Sequence, residues 1–299
     1  IAMQPFARIG ESMDIAVELI EKRDLPRLAQ FDALFIRETT AVSHHTYRFA
    51  KRAAMEGMPV IDDPTSILRC TNKAFLRELF GGNGVDTPKT ALVTRRTLAG
   101  LEGTLSYPVV LKVPDGAFGL SVKKAEGWRE FVHIADHMLK QSDIIIVQEF
   151  MFTPFDWRVG VLAGEPLFAA KYFMSKGHWQ IIQHRDDGGA VEGTTEAIAL
   201  PNVPPAVIAA AVRASRLVGN GLYGVDLKQT KAGVFVIEVN DNPNIDVGVE
   251  DAAEGEAVYR RILSHFQSLV EARIRTFRPV GNAVRDDSEP VLRRTGTSM

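Results

Sequence analysis

The chain predicts a mixed α/β (α+β) fold, and three observations carry that prediction. Short runs of aliphatic and β-branched residues recur along its 299 residues, with stretches of helical period between them. Glycine clusters at 81–84 and 219–221 stop the helices that precede them. The length suits about two domains at roughly 150 residues each.

Taken in order, residues 31–37 read as a strand. Residues 43–56 read as a helix capped by Ser43, with Tyr47, Phe49, Ala50 and Ala54 apolar and Gly57 and Pro59 beyond its end. A short strand begins at Val60-Ile61, so residues 1–70 form a small α/β unit whose opening Ile1 reads as a trimmed start. Thr71 caps the next helix, which carries Phe75, Leu76, Leu79 and Phe80 on one face. Strand-type runs then dominate, at 90–94, 109–113, 121–123 and 144–147, around one helix over 128–140. Further strands follow at 158–162, 166–172 and 179–182, with Gly177, Gly188 and Gly189 at turns. A helix over 205–218, strands at 223–228 and 234–240, and a long helix over 250–275 complete the pattern. Residues 276–299 are polar with two prolines and read as a flexible tail.

Composition excludes several classes. Hydrophobic residues make up 45% and charged residues 24%, and the net charge is −2, so no global basic field argues for nucleic acid or an anionic membrane. No apolar run approaches the ~20 residues of a membrane span. Cys70 is the only cysteine, which rules out an internal disulfide framework and fits a reducing, cytoplasmic setting. The first residues lack a basic segment followed by an apolar one, so none reads as a secretion signal.

The chemistry concentrates at strand ends. Glu238 and Asn240 share one face of a strand by period 2, with Phe235, Ile237 and Val239 on the other. Asp226 lies in the middle of an apolar run, where a bare carboxylate is costly to bury. If the two strands are neighbours, Asp226, Glu238 and Asn240 converge as hard oxygen donors suited to magnesium beside phosphate. Lys112 sits in an aliphatic run and must snorkel or meet an anion. Gly116 and Gly119 follow it in a loop that reads as a β-hairpin flap, or as a plain glycine hairpin, but not as a Walker loop.

Gln148-Glu149-Phe150 leaves a buried strand, and its backbone edge could read a base; Asp156 could accept from ribose hydroxyls and Arg158 could grip an anion. By itself, that segment reads rather as a surface turn with an ion pair. Lys73 could aim at a phosphate from a helix start, or be a solvated lysine. His133 and His137 lie four apart but lack the Glu of a metalloprotease pair. His44-His45 reads as a helix start rather than a metal site, and Trp179 beside His178 as either packing or a substrate wall. Cys70 has no visible base and reads as structural.

In this order, Asn72-Lys73, the strand–flap–strand over 109–122, Val147-Gln-Glu-Phe150, Asp156-x-Arg158, Gly224-Val-Asp226 and Glu238-Val-Asn240-x-Asn-Pro243 resemble the ATP-grasp superfamily. The branch they resemble is that of RimK-like glutamate ligases, related to glutathione synthetase, and the likeness spans about residues 31–275. Residues 35–40 and 62–73 also resemble a RimK-like subgroup with additional N-terminal sequence.

The resemblance implies an ATP-grasp fold in which two α/β subdomains, 71–150 and 151–275, clamp ATP after the small pre-ATP-grasp unit at 1–70. It implies an ATP-dependent carboxylate–amine ligase that works through an acyl phosphate and releases ADP. Lys73 and Lys112 would bind phosphates under the Gly116–Gly119 flap. Glu149 and Phe150 would meet adenine mainly through backbone, with Gln148 nearby, and Asp156 would take the ribose. Asp226, Glu238 and Asn240 would hold Mg²⁺, with Mn²⁺ as an alternative, and Arg158 would steady the moving phosphoryl group. Lys171 stands where many relatives have Arg, supplying a point charge without a fork. The implied partners are a carboxylate, an amino-acid amine such as glutamate, and further copies of the chain. A phosphotransferase and a non-catalytic nucleotide-binding regulator remain as alternatives.

Overall fold

The computed structural model describes residues 3–114, 122–184 and 189–277. Its elements run α1 (Gln4–Glu11), β1 (Leu34–Phe35), α2 (His45–Met55), β2 (Val60–Ile61), α3 (Pro64–Cys70) and α4 (Lys73–Gly82). Next come β3 (Thr90–Val93), β4 (Val109–Lys112), β5 (Val122–Ala125), α5 (Trp128–Met138) and β6 (Ile145–Glu149). The remainder is β7 (Phe155–Leu162), β8 (Glu165–Phe173), β9 (Ile182–His184), β10 (Ala190–Glu192), β11 (Thr195–Ala197), α6 (Pro205–Val218), β12 (Leu222–Thr230), β13 (Gly233–Asp241) and α7 (Ala257–Phe277).

Two antiparallel sheets dominate: four strands in the order β3-β6-β4-β5, and five in the order β11-β8-β7-β12-β13. The four-stranded sheet lays Val109, Leu111, Ile145 and Val147 on α5, against Phe131, Ala135 and Met138. In the five-stranded sheet, Val159, Val161, Val225 and Leu227 face α6 through Val207, Ala211 and Ala214. Leu76 and Phe80 of α4 join that same core, so α4 packs with the five-stranded sheet although it precedes the four-stranded one in the chain. On the other face, Phe168 and Leu222 pack with α7 and α1 through Tyr259, Ile262 and Phe6. The parallel pair β1-β2 carries α2 and α3 over Leu34, Phe49, Ala53 and Ile67.

Several expected boundaries move. Asn72, not Thr71, caps α4, accepting the Phe75 N–H at 3.0 Å. The expected strand at 179–182 lies instead at Ile182–His184, and α7 starts at Ala257 rather than 250. α1 and α3 were not expected; α3 starts where the Asp63 carboxylate accepts from the N–H groups of Thr65 and Ser66. Gly116, Gly119 and the expected flap lie outside the described residues, as does the expected tail from 278 on. Among the described residues, no helix is long and apolar enough to cross a membrane.

One correction bears on the site. The β12–β13 register pairs Asp226 with Glu238 but Leu227 with Val236, leaving Ile237 as the extra residue of a bulge. Val236 and Val239 are therefore both buried, although three apart. Phe235 pairs with Lys228 and so lies on the Glu238 face, contrary to the simple alternation expected for 234–240.

Candidate active site

The five-stranded sheet brings its chemistry to one face. Register places Asp226 between Arg158 of β7 and Glu238 of β13, and Asn240 opposite Gly224. Paired residues of antiparallel strands point to the same side, so Asp156, Arg158, Asp226, Lys228, Glu238 and Asn240 share a face. Arg158 grips Asp226 with a fork, Nε to Oδ1 at 2.7 Å and Nη2 to Oδ2 at 2.9 Å. Asn240 Nδ2 donates to the same Oδ2 at 3.1 Å. Lys73, on the first turn of α4, reaches Glu238 Oε1 at 2.8 Å.

The other sheet supplies Lys112 and Gln148. Lys112 Nζ donates to Gln148 Oε1 at 2.9 Å, and Gln148 Nε2 donates to Thr90 Oγ1 at 3.1 Å. Burial lowers the Lys112 ammonium from its ordinary value; Glu238 opposes that shift, while Lys73 and Lys228 add to it. Those named influences come from the five-stranded sheet and α4, so Lys112 stands near enough to the Glu238 face to feel its charges. Burial also works against the charge of Arg158, but Asp226 outweighs it and holds the guanidinium protonated above its ordinary value.

Asp156 is raised by burial and opposed by Lys228, whose Nζ pairs with its Oδ1. Thr153 donates to that oxygen at 3.0 Å, and among the described residues Oδ2 keeps no hydrogen bond. At the end of β6, the Glu149 N–H donates to Lys89 O and the Phe150 N–H to Pro108 O. Both amides are thus engaged in the sheet, and a base at this position is left with carbonyls, side chains and the Phe150 ring. Trp179 meets that ring edge-on at 5.8 Å, and Lys124 sits over both. Trp179 therefore packs with Phe150 beyond the end of β6.

Lys171 does not join this site. It pairs with Trp157, on the face of the sheet that packs on α6. Its Nζ meets Glu196 at 3.4 Å and lies 5.2 Å from the centre of the Phe155 ring. The residue on the site face is Tyr172, whose ring underlies the Arg158 guanidinium at 4.7 Å and whose hydroxyl donates to buried Glu250.

Beyond Tyr172 a cavity of about 490 Å³ opens, with Glu192, Asp246 and Glu250 in its lining. Sequence reasoning missed Lys228, Tyr172 and Arg37. Period 2 from Asp226 was a signal for Lys228. Arg37, just after β1, donates to Asn242 Oδ1 at 2.7 Å and to Pro243 O at 2.8 Å. Asn242 Nδ2 returns a bond to Glu38 O at 2.8 Å. Beneath this loop Asp62 is buried, and among the described residues neither carboxylate oxygen makes a well-formed hydrogen bond, although the Asn242 N–H lies near. Cys70 is buried among apolar side chains, and burial pushes its thiol up, which fits a structural role.

Two carboxylates and an amide on adjacent strands form an all-oxygen donor set of the kind that suits a hard divalent ion. The cations already paired to them, Arg158 and Lys73, are of the kind that suits phosphate. The residues present therefore fit a magnesium–nucleotide group.

A family model for the RimK-like ATP-grasp domain matches residues 70–255. A probable alpha-L-glutamate ligase from Marinomonas sp. (strain MWYL1) is 27% identical over 244 residues, 80% of this chain and 77% of the relative. The crystal structure of a RimK domain ATP-grasp protein from Sphaerobacter thermophilus superposes with a TM-score of 0.67 at 18% identity, covering 88% of this chain and 94% of that one. D-alanine–D-alanine ligase from Bacillus anthracis, solved with ATP, gives 0.64 at 16% identity over 90% of this chain and 94% of its own. With a family model spanning both sheets and the strands that bear Asp226, Glu238 and Asn240, the chain belongs to the RimK-like ATP-grasp family.

Proposed function

We propose that this protein is an ATP-dependent, ADP-forming carboxylate–amine ligase that joins an amino acid to a carboxylate through an acyl phosphate. The observation that carries the reading is the single polar face on which Arg158–Asp226, Asn240 and Lys73–Glu238 stand together, near Lys112.

In this reading Asp226, Glu238 and Asn240 hold Mg²⁺, and Mn²⁺ suits the same oxygens. The bound ion supplies charge neutralisation at the phosphate oxygens. Lys73 and Lys112 hold the triphosphate, and Gln148 fixes the Lys112 ammonium by accepting from it. Oδ2 of Asp156, without a hydrogen bond among the described residues, accepts from a ribose hydroxyl, while Phe150 and Trp179 wall the base. Arg158, seated on Tyr172, orients the group being transferred. The cavity beyond Tyr172 receives the amine substrate, its acidic lining complementing an ammonium group. Glutamate, the substrate in the names of the relatives, is the first amine to try.

The test is ADP release by purified protein with Mg²⁺ against paired carboxylates and amines, repeated with hydroxylamine as the amine. Hydroxamate formation that depends on the carboxylate supports the acyl phosphate. Phosphate transfer to a hydroxyl with no hydroxamate would show a phosphotransferase instead, and no ADP release with any pair would sink the enzyme reading.

A further inference from the structure

His44 and His45, at the start of α2, belong to a cluster that the ligase reading does not use. Nε2 of His45 lies 2.9 Å from Oε2 of Glu38, and Nε2 of His44 lies 3.7 Å from Oε1 of the same carboxylate. The ligand atoms of the three all fall within 4.8 Å of one another. Among the described residues, no other set of three His, Cys, Asp or Glu side chains converges in this way.

The surroundings fix how these rings point. Nδ1 of His44 meets Oγ1 of Thr46 at 3.0 Å, and that hydroxyl donates to Thr39 O at 3.1 Å. With its proton committed to Thr39, Thr46 accepts from the His44 Nδ1–H. The lone pair of His44 is then on Nε2, the atom that faces Glu38. An outer hydrogen bond that sets the tautomer and aims the other ring nitrogen is the support a metal-ligating histidine has. A simple Glu–His ion pair needs one imidazole; here the second is aimed at the same carboxylate, with the two ring centres 4.0 Å apart.

Two imidazole nitrogens and one carboxylate suit zinc and its late first-row neighbours, with a position left for water, and suit magnesium poorly. We propose that Glu38, His44 and His45 form a Zn²⁺-type site separate from the Asp226–Glu238–Asn240 set. Ligand atoms on one zinc at ~2.0–2.1 Å lie about 3.4 Å apart, so the His45–Glu38 pair has to open slightly and the His44–Glu38 pair to close. Glu38, with 59% of its side chain exposed, is free to swing inward. The bound ion would brace the loop whose Arg37 and Glu38 hold Asn242 and Pro243.

The test is independent of the ligase reading. Chelator-stripped protein is titrated with Zn²⁺ against a chromogenic zinc indicator. The His44→Ala/His45→Ala double variant should bind one zinc fewer per chain than the native protein. Glu38→Gln and Thr46→Val should each weaken that zinc by about 10-fold or more. Cobalt in its place should give the visible absorption of a four-coordinate ion in native protein and none in the double variant. Melting curves in metal-free buffer check that the variants fold; if the double variant does not, Glu38→Gln decides alone. Equal zinc stoichiometry in native protein and the folded double variant, an unchanged zinc affinity in Glu38→Gln where that variant decides, or native binding weaker than roughly 10 µM, overturns the site.

Discussion

Arg158 and Asp226 form a two-point fork across neighbouring strands, and the same Asp226 oxygen that takes Arg158 Nη2 also accepts from Asn240. An ion entering between Asp226 and Glu238 must share carboxylates already held by Arg158 and Lys73. Charge on that face is thus balanced within the protein before substrate arrives.

Arg158→Lys keeps the charge but loses the fork. ADP release is expected to fall about 100-fold or more, a loss of roughly 3 kcal/mol of transition-state stabilisation. Arg158→Ala leaves Asp226 partly buried without a counter-charge and should in addition cost about 3 kcal/mol of stability in urea. Near-native turnover in Arg158→Lys would remove Arg158 from the site.

Lys171→Ala should leave turnover within about 3-fold of native, under 1 kcal/mol, because Lys171 lies on the α6 face of the sheet. Tyr172→Phe, one residue on, removes the hydroxyl that donates to Glu250 and should cost about 1–3 kcal/mol of stability. Steady-state kinetics and urea midpoints on the two variants read these outcomes side by side.

Excess chelator should stop ADP release, and added Mg²⁺ should restore it. Glu238→Ala should lower turnover about 100-fold or more even at saturating Mg²⁺. Persisting ADP release in chelator would show that Asp226, Glu238 and Asn240 serve another purpose.

Asp62 and Asp241 should make the protein more stable in mild acid than these two groups allow at neutral pH. Burial raises Asp241 from 3.8 to about 6 and raises the fully buried Asp62 well above its ordinary value. The folded state then binds more protons than the unfolded state above pH ~4, so this contribution falls as pH rises through about 6. Asp62→Asn should flatten that slope and raise the melting temperature at neutral pH by about 2–4 °C per kcal/mol recovered. A variant that melts lower than native at neutral pH, with an unchanged slope, would contradict the assignment.

The strand-end donors were legible because period 2 and the cost of burying a carboxylate act locally: Asp226, Glu238 and Asn240 do meet on one face. Which neighbours join them was not legible. Phe168, Ala169 and Ala170 are all buried, so alternation there carries no parity, and Lys171 and Tyr172 could each have faced the site. The bulge at Ile237 is a choice made in pairing with β12, invisible within 234–240 itself. α3, at seven residues, is too short to show a helical period, although Asp63-Pro64 is a cap and first-turn signal. The Arg37 contact joins residues more than 200 apart and has no local trace.

That contact limits modular exchange. The segment bearing Arg37 is stitched by three hydrogen bonds to Asn242 and Pro243, immediately past Asn240. A chimera that swaps the leading α/β unit for one from another ligase inherits a misplaced loop after Asn240 unless the donor brings its own guanidinium to this spot. The segment around Arg37 thereby helps set where the end of β13 stands.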